Sequence, residues 1–312
     1  MFITSTSIGD VILSTGALKW LFDQYPEARF TIVCGSAPSP LFQAMPRLDT
    51  IIIVNKRKWR LHWLDVWKQC KTTQWDLIVD LRNTIITRFL HAKNKIINWQ
   101  WDNMDHKVTL YASVLKLNHV PNPFLWISQT ALNTATQQLP KNRFILAICP
   151  TASKVDKCWP IDHFIQLIST LIKPEGILAG ATVLIIGSNS ERHYITPLLE
   201  SVPAHQLIDV VGCDLQLAAA YLKNSSFFIG NDSGLMHMAA AVDTPTLGLF
   251  NPHSPPEKFS PWGTHCSYIH KPTTSNPKKS SDNNELMKLI SVSEVFAATK
   301  DIINEFQLKT SL

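Results

Sequence analysis

Short apolar, β-branched segments alternate with longer amphipathic segments along the chain. This alternation is typical of parallel sheets that are covered by helices on both faces. The predicted strands span residues 2–7, 29–34, 50–54, 76–81, 95–98, 144–149, 182–186, 207–211 and 227–229. The predicted helices span residues 10–24, 161–172, 191–200 and 214–224, and one more helix begins at Gly234. The pattern therefore predicts an α/β fold of two doubly wound halves.

The chain length sets the domain organisation. At 312 residues the chain is longer than one hydrophobic core usually accommodates, so two domains are expected. We predict a first domain over residues 1–135 and a second over residues 136–290, joined near residues 125–142, which include the Gln- and Thr-rich stretch at 129–138. A last amphipathic helix over residues 293–306 has an apolar face that needs a partner.

Composition narrows the class of protein. The net charge of +5 suits acidic ligands or an anionic surface and does not require nucleic acid. The six cysteines lie far apart, with no C-x-x-C pair and no histidine cluster at zinc spacing, so we expect free thiols, a reducing compartment and no metal site. Residues 1–20 have no basic leader, and polar residues interrupt their apolar character. We therefore expect a cytoplasmic protein with neither a signal peptide nor a membrane span there.

The segment after the predicted strand at 227–229 is the most informative. A polar turn, Gly230-Asn-Asp-Ser-Gly234, leads into an Ala-rich helix that continues through Leu235. The first N–H groups of a helix lack intrahelical partners and carry partial positive charge, so they suit an anion such as the diphosphate of an activated sugar. In the alternative interpretation, Asp232 or Ser233 only caps the helix. We interpret His237, one turn further on, as lining the site, because no metal ligand accompanies it.

A second polar loop follows the predicted strand at 144–149. It contains Lys154 and Lys157, and the hydroxyls of Thr151 and Ser153 stand beside them. A lysine together with helix N–H groups can neutralise the charge of a departing diphosphate without a metal ion. The alternative is that both lysines are simply solvated.

Glu191 ends a third polar turn, after the predicted strand at 182–186. A carboxylate at this position can accept hydrogen bonds from ribose hydroxyls. Alternatively, the segment is an ordinary turn in which Ser190 or Asn189 caps the next helix. The chain contains neither G-x-G-x-x-G nor G-x-x-x-x-G-K-[ST], so its motifs do not favour a dehydrogenase or an ATPase.

Asp10 lies in the turn between the first predicted strand and helix. The helix dipole stabilises a carboxylate in the first turn, so Asp10 is either a capping residue or a group with a chemical role. If it projects into a cleft, it can accept the proton of an attacking hydroxyl as a general base.

Basic and aromatic residues are mixed over residues 56–71. Trp59, Trp63 and Trp67 recur every four residues, which on a helix makes one stripe. The stripe either packs on the sheet while the basic groups face water, or meets an anionic glycolipid at a membrane surface. The candidate cations for an acidic acceptor are Lys56, Arg57, Arg60, Arg82 and Arg88.

Together these segments resemble the heptosyltransferase family of glycosyltransferases, which extend the inner core of lipopolysaccharide from ADP-heptose. The similar segments are 7–18, 75–82, Lys157-Cys-Trp-Pro160 with Phe164, 230–241 and 286–295. The resemblance implies the GT-B type of fold, with two Rossmann-like domains facing a central cleft and the helix at 292–308 packing back on the first domain. It also implies an inverting, metal-independent transfer of heptose to an acidic lipopolysaccharide core, without a cofactor, in contact with the cytoplasmic face of the inner membrane.

The family pattern also implies roles for individual residues. Asp10 matches the general base, Lys157 with Ser153 the diphosphate-binding pair, and Asp232 a contact to the donor sugar. The residues that match the helix start receiving the diphosphate are Ser233, Gly234 and Leu235, although many members have proline where this chain has Leu235. Two alternatives stay open, namely another nucleotide-sugar donor and a nucleotide-binding homologue without catalysis.

Overall fold

The computed structural model describes residues 1–55, 57–100, 105–273 and 285–310. These residues belong to two compact units, Met1–Ser128 and Gln129–Leu312. The polar segment at 271–284 lies largely outside the described residues, as does Lys56.

The first unit contains a five-stranded parallel sheet with strand order β3-β2-β1-β4-β5. Its strands are β1 (Phe2–Ile3), β2 (Phe30–Cys34), β3 (Leu48–Ile53), β4 (Trp75–Asp80) and β5 (Ala92–Ile97). Its α-helices are α1 (Ile8–Gln24), α2 (His62–Cys70) and α3 (Lys107–Val114). The strand predicted at 2–7 is shorter because Ser7 already serves as the N-cap of α1.

The second unit contains a six-stranded parallel sheet with strand order β11-β10-β9-β6-β7-β8. Its strands are β6 (Ile145–Cys149), β7 (Thr182–Ile185), β8 (Leu207–Asp209), β9 (Phe227–Asn231), β10 (Thr246–Phe250) and β11 (Cys266–His270). Its helices are α4 (Gln129–Gln138), α5 (Ile161–Ile172), α6 (Arg192–Ser201), α7 (Leu215–Lys223), α8 (Gly234–Ala241), α9 (Pro256–Phe259) and α10 (Val292–Thr310).

The linker region and the C-terminal helix differ in detail from the prediction. The stretch at 129–138 forms α4, which packs against α7, so the break between the units precedes this helix instead of falling at 135/136. The final helix α10 contributes Val295 and Ile303 to the core of the second unit, beside α5. Its apolar face thus has a partner there, and the packing of α10 on the first domain stays a prediction.

Both sheets reverse their strand order beside the first strand of the unit. In the first unit β1 lies between β2 and β4, and in the second unit β6 lies between β7 and β9. At such switch points the connecting segments leave toward opposite faces, and a crevice opens at the carboxyl ends of the strands. The predicted α/β class with two doubly wound parallel sheets is confirmed. The strand order of each sheet places one such switch point in each unit. Among the described helices none combines the length and the apolar character that crossing a bilayer requires.

Candidate functional site

An ion pair occupies the switch point of the second unit. Lys157 follows β6 and Asp232 follows β9, and the Lys157 Nζ to Asp232 Oδ2 distance is 2.5 Å. The hydroxyl of Ser254 donates to the same oxygen at 3.3 Å. The side chain of Asp232 is 9% exposed and that of Lys157 is 28% exposed, so the carboxylate is covered while the ammonium still reaches solvent. The structure therefore brings two sequence-predicted site residues into contact.

The start of α8 lies directly after this ion pair. Ser233 is the N-cap residue, and its Oγ accepts from the N–H of Met236 at 3.4 Å. Ser233, Gly234 and Leu235 are partly exposed. The N–H groups of a first helical turn that lack intrahelical partners favour an anion at this position. The capping role of Ser233 is thus observed, and the binding of an anion at this helix start stays a prediction.

Asn231 holds the two loops of this switch point together. Its Oδ1 accepts from the N–H of Trp159 at 2.9 Å, and its Nδ2 donates to the carbonyl of Pro150 at 2.8 Å. On the other side of the site, Asn251 donates to the carbonyl of Asp156. These amides fix the backbone on both sides of Lys157. The sequence pattern does not identify either amide as a site residue, although Asn231 lies within the polar turn Gly230–Gly234.

Thr151 and Glu191 form a second polar contact in the same unit. The Thr151 hydroxyl donates to Glu191 Oε2 at 2.8 Å, and the N–H of Ser188 donates to the same oxygen at 3.1 Å. In the alternative interpretation of this turn, Ser190 or Asn189 was the cap; the structure instead has Ser188 as the N-cap, and Glu191 completes a capping box with it.

The remaining predicted donor-side residues differ in exposure. Ser153 and Lys154 are exposed, while His237 is buried at 5% exposure within α8. His237 lies within α8, one turn beyond Gly234, and its role in lining the site stays a prediction.

Asp10 lies at the switch point of the first unit, in the first turn of α1. Its Oδ2 accepts from the hydroxyls of Ser7 at 2.7 Å and Ser5 at 3.1 Å. Asp10 also lines a cleft of about 1170 Å³ within this unit. We call this space the first-unit cleft; its walls come from the β1–α1 turn, α2, the loop after β4, and α3. The carboxylate is thus both oriented by hydroxyls and open to a cavity, as a general base requires.

Asp80 organises the loop that faces Asp10. This carboxylate ends β4 and is fully buried. It accepts from the N–H of Arg82 at 2.9 Å through Oδ1 and from the N–H of Thr84 at 2.7 Å through Oδ2. The hydroxyls of Thr84 and Thr87 donate to Oδ2 as well, at 2.7 and 2.6 Å. Asn83, between the two anchored N–H groups, has φ +50°, a left-handed conformation that asparagine tolerates.

Three predicted acceptor-binding cations line the first-unit cleft together with Asp10. They are Arg57, Arg82 and Arg88. Arg57 also pairs with Asp65 at 2.7 Å, and the Arg88 guanidinium lies 5.3 Å from the ring centre of Trp99. Lys56 lies outside the described residues, and the side chain of Arg60 is likewise not described.

The three tryptophans of the predicted stripe have different environments. Trp59 is 90% exposed and lies before α2 in a short 3-10 turn, where its φ is +58°. Trp63 and Trp67 are within α2; both line the first-unit cleft and pack against the core of the sheet. A single helical stripe is therefore wrong, because the left-handed residue at Trp59 interrupts the helix.

Tyr111 is a cleft residue that the sequence did not reveal. It belongs to α3, which was not predicted, and is nearly buried in the wall of the first-unit cleft. Burial raises the pKa of its hydroxyl, the negative charge of Asp10 raises it further, and Arg82 acts in the opposite direction. The phenol therefore stays protonated and available as a hydrogen-bond donor within the electrostatic reach of Asp10.

Across residues 1–55, 57–100, 105–273 and 285–310, no three His, Cys, Asp or Glu side chains are grouped so that they could hold an ion. The cation that the structure does supply at the second switch point is Lys157.

Two Rossmann-like units, each with polar side chains at its switch point, define a protein of the GT-B fold class. The chain belongs to glycosyltransferase family 9 (heptosyltransferase), whose family model matches residues 98–289. The predicted enzyme class, a glycosyltransferase, is confirmed by this membership.

Known relatives support the same family. The lipopolysaccharide core heptosyltransferase OpsX of Haemophilus influenzae is 24% identical over 282 residues, which cover 80% of this chain and 78% of the relative. Among solved structures, the E. coli ADP-heptose lps heptosyltransferase II has a TM-score of 0.74 at 18% identity, with 98% of each chain covered. The family 9 glycosyl transferase from Veillonella parvula has a TM-score of 0.78 at 19% identity, with 97% of this chain and 96% of that chain covered.

Proposed function

We propose that this protein transfers heptose from ADP-heptose to the inner core of lipopolysaccharide. Family membership supports a heptosyl transfer, and the names of the relatives from E. coli and Haemophilus influenzae support the donor and the acceptor. The observation that carries the proposal is the ion pair of Lys157 and Asp232 at the start of α8, because it combines a cation with helix N–H groups beside a sugar-binding carboxylate.

On the donor side, the diphosphate binds to Lys157 and to the first-turn N–H groups of Ser233, Gly234 and Leu235. An ammonium group has three N–H donors, so Lys157 can keep its contact with Asp232 while it donates to a phosphate oxygen. Asp232 itself repels phosphate and accepts hydrogen bonds from the hydroxyls of the donor sugar. Neutralisation by Lys157 lowers the energy of the departing ADP without a metal ion or another cofactor.

Three further residues, Glu191, Thr151 and Ser153, complete the proposed donor site. Both hydrogen bonds described for Glu191 go to Oε2, and a carboxylate has about four lone-pair positions in all, so Glu191 has the capacity to accept from a ribose hydroxyl. Thr151 orients this carboxylate instead of binding phosphate directly. Ser153 is exposed in the loop before Lys157 and supplies a further hydroxyl donor to the diphosphate.

On the acceptor side, Asp10 removes the proton from the attacking sugar hydroxyl. Direct attack on the anomeric carbon, opposite the departing ADP, inverts its configuration. Arg57, Arg82 and Arg88 bind the acidic groups of the lipopolysaccharide core in the first-unit cleft, where their charge favours an anionic acceptor. We place the reaction in the cytoplasm, consistent with six free cysteines.

Transfer and nucleotide binding can be tested separately. Purified protein is incubated with ADP-heptose and core glycolipids of increasing length, and the products are analysed by mass spectrometry. Calorimetry with ADP, UDP and GDP measures nucleotide preference. We expect a heptose-sized mass increase on one core acceptor, and ADP as the tightest ligand. Tighter binding of UDP or GDP would mean that the donor carries that nucleotide instead of ADP. ADP binding without product from any donor would indicate a homologue that has lost catalysis.

A further inference from the structure

The hydroxyl of Tyr111, in the wall of the first-unit cleft, has no hydrogen-bond partner among the described residues. Tyr111 is 8% exposed, and it lines the cleft together with Asp10 and Arg82. Its hydroxyl oxygen is not fully enclosed by protein, so the small exposed part of the side chain includes this oxygen. The phenol therefore presents its O–H group to the space of the cleft.

Packing alone does not account for this hydroxyl. A buried tyrosine hydroxyl ordinarily has a hydrogen-bond partner, and a residue that only fills a wall could equally be phenylalanine. The ring is held by its helix, because α3 packs against α1, the helix that carries Asp10 in its first turn. The protein thus fixes the position of the phenol without using its O–H group. We expect the missing partner of this group to come from a ligand in the cleft.

Arg82 is a second donor in the cleft whose side chain is uncommitted. Of the three arginines that line this space, Arg57 and Arg88 are exposed, whereas Arg82 is half-buried. Arg57 is in an ion pair with Asp65. The guanidinium of Arg82, by contrast, makes no ion pair or hydrogen bond within the described part of the chain. Arg82 and Tyr111 are therefore two enclosed donors that a ligand can engage at no cost to an existing contact.

The charges around the phenol indicate what kind of ligand group fits. Burial raises the pKa of the Tyr111 hydroxyl, Asp10 raises it further and Arg82 opposes the shift, so the phenol is neutral and interacts with both charges. A neutral O–H donor beside a guanidinium suits an oxyanion, because the arginine supplies charge and the phenol a directed hydrogen bond. The negative charge of Asp10 disfavours a free anion, so the acidic group has to belong to a molecule that Asp10 also binds.

We propose that Tyr111 is an acceptor-binding residue that donates, together with Arg82, to one acidic group of the acceptor, either a phosphate or a carboxylate. This inference rests on the proposed function, because that function makes the acceptor acidic and places its attacking hydroxyl at Asp10. Two donors on one acidic group fix the orientation of the sugar as well as its position. Tyr111 thereby helps to determine which hydroxyl of the acceptor meets the base.

Calorimetry with deacylated inner-core lipopolysaccharide tests this subsite without the donor. We expect Tyr111→Phe to raise the Kd for this probe roughly 10- to 100-fold, the effect of losing a hydrogen bond to a charged group. The Kd for ADP and the free energy of unfolding should not change, because the hydroxyl has no partner in the described part of the protein. Tyr25→Phe is the matched control, since Tyr25 is 49% exposed and follows the far end of α1, outside the cleft.

A double-mutant cycle shows whether the two donors share one group. In the background of Arg82→Gln, the substitution Tyr111→Phe should weaken probe binding less than it does in the unaltered protein. Treatment of the probe with a phosphatase then identifies the group. If the effect of Tyr111→Phe disappears, the two donors bind a phosphate, and if it persists, they bind a carboxylate; both results support the proposal.

Four results would overturn it: unchanged probe binding in Tyr111→Phe, an equal loss in Tyr25→Phe, strictly additive losses in the cycle, or a lower free energy of unfolding in Tyr111→Phe. Absence of probe binding to the unaltered protein would also reject the subsite. The transfer assay separates this proposal from the proposed function. Heptosyl transfer with an unchanged KM for acceptor in Tyr111→Phe would reject the role of Tyr111 alone. Probe binding that depends on Tyr111, without transfer, would reject the function and leave the subsite.

Discussion

The ammonium group of Lys157 and the carboxylate of Asp232 are in direct contact at 2.5 Å, although 75 positions separate them in the chain. The pair is held beside the cap of α8 by Ser254, which donates to the same carboxylate oxygen. A cation fixed in this way loses little conformational entropy when an anion binds, so the contact would preorganise the site for the diphosphate that we propose binds there.

Replacement of Lys157 should weaken nucleotide binding. We expect Lys157→Ala to raise the Kd for ADP roughly 10- to 100-fold, because a hydrogen bond to a charged group contributes about 1.5–3 kcal/mol. Lys154→Ala is the matched control, since Lys154 is an exposed lysine of the same loop. Calorimetry with ADP measures both. Equal losses in the two variants would mean that only the overall charge of the loop matters.

Asp10 should affect turnover and not nucleotide binding. We expect Asp10→Asn to lower kcat by about 10²- to 10⁴-fold, the range typical of general-base catalysis, with the Kd for ADP unchanged. Asp23→Asn, at the other end of α1, removes an exposed carboxylate that pairs with Lys19 and serves as control. Near-normal turnover of Asp10→Asn would remove this residue from the mechanism.

Asp80 should govern the shape of the loop after β4, which we propose binds the acceptor. Two N–H groups, those of Arg82 and Thr84, contact different oxygens of this carboxylate. Asparagine has a single oxygen, so one N–H would face an amide NH₂. We expect Asp80→Asn to lower the free energy of unfolding by about 2 kcal/mol and to raise the KM for acceptor more than the KM for donor.

The control for this loop is Asp76→Asn, in the same strand. Asp76 is exposed and pairs with Lys93 at 2.7 Å, and exposed ion pairs contribute little to stability. Urea unfolding and steady-state kinetics on both variants provide the comparison. If Asp80→Asn changed stability but left both KM values in the same ratio, its role would be purely structural.

His163 should make stability depend on pH. Burial lowers its pKa below the ordinary value of 6.5, Lys288 lowers it further, and Asp162 opposes the shift. The unfolded chain therefore takes up this proton at a higher pH than the folded protein does. As pH falls below 6.5, the contribution of His163 favours unfolding, until the folded protein is protonated as well.

Urea unfolding at pH 7.5 and 5.5 measures this dependence. We expect His163→Gln to lose less stability than the unaltered protein between these two pH values. His119→Gln is the control, because His119 is exposed. An unchanged slope in His163→Gln would show that other groups carry the pH dependence.

The cysteines should react slowly in the native protein. Burial raises the pKa of Cys149 to about 11 and that of Cys34 to about 12, and the other four thiols are shifted in the same direction. At pH 8 the reactive thiolate fraction is therefore small. Titration with Ellman's reagent should give slow reaction before denaturation and six thiols after it. Rapid labelling of a native thiol would indicate local opening around it.

The sequence predicted the elements whose burial is strongest. The helix expected at 161–172 is observed as Ile161–Ile172, because one face repeats apolar residues at helical spacing and packs entirely into the core. The strand Cys266–His270 was missed because it pairs only with β10 and none of its residues is fully buried, so it lacks a long apolar run. The helix Gln129–Gln138 was taken for a linker because glutamine and threonine dominate it, and its packing against α7 is a tertiary effect.

The sequence predicted several of the candidate site residues, but not all of the hydrogen bonds between them. Spacing placed Lys157 and Asp232 after strands that become neighbours, so their proximity follows from the sheet. The hydrogen bond from Thr151 to Glu191, by contrast, depends on side-chain positions that no periodic pattern encodes. Tyr111 was not identified because its helix was not predicted. It lines the first-unit cleft only because the fold brings it close to Asp10 in space.

Asn231 limits how this region can change in evolution. A single amide group serves an N–H on one side and a carbonyl on the other, so both halves of the group are in use. Aspartate would keep the acceptor but lose the donor, and leucine would lose both. Replacement therefore leaves the N–H of Trp159 or the carbonyl of Pro150 without its partner, unless a second substitution supplies one.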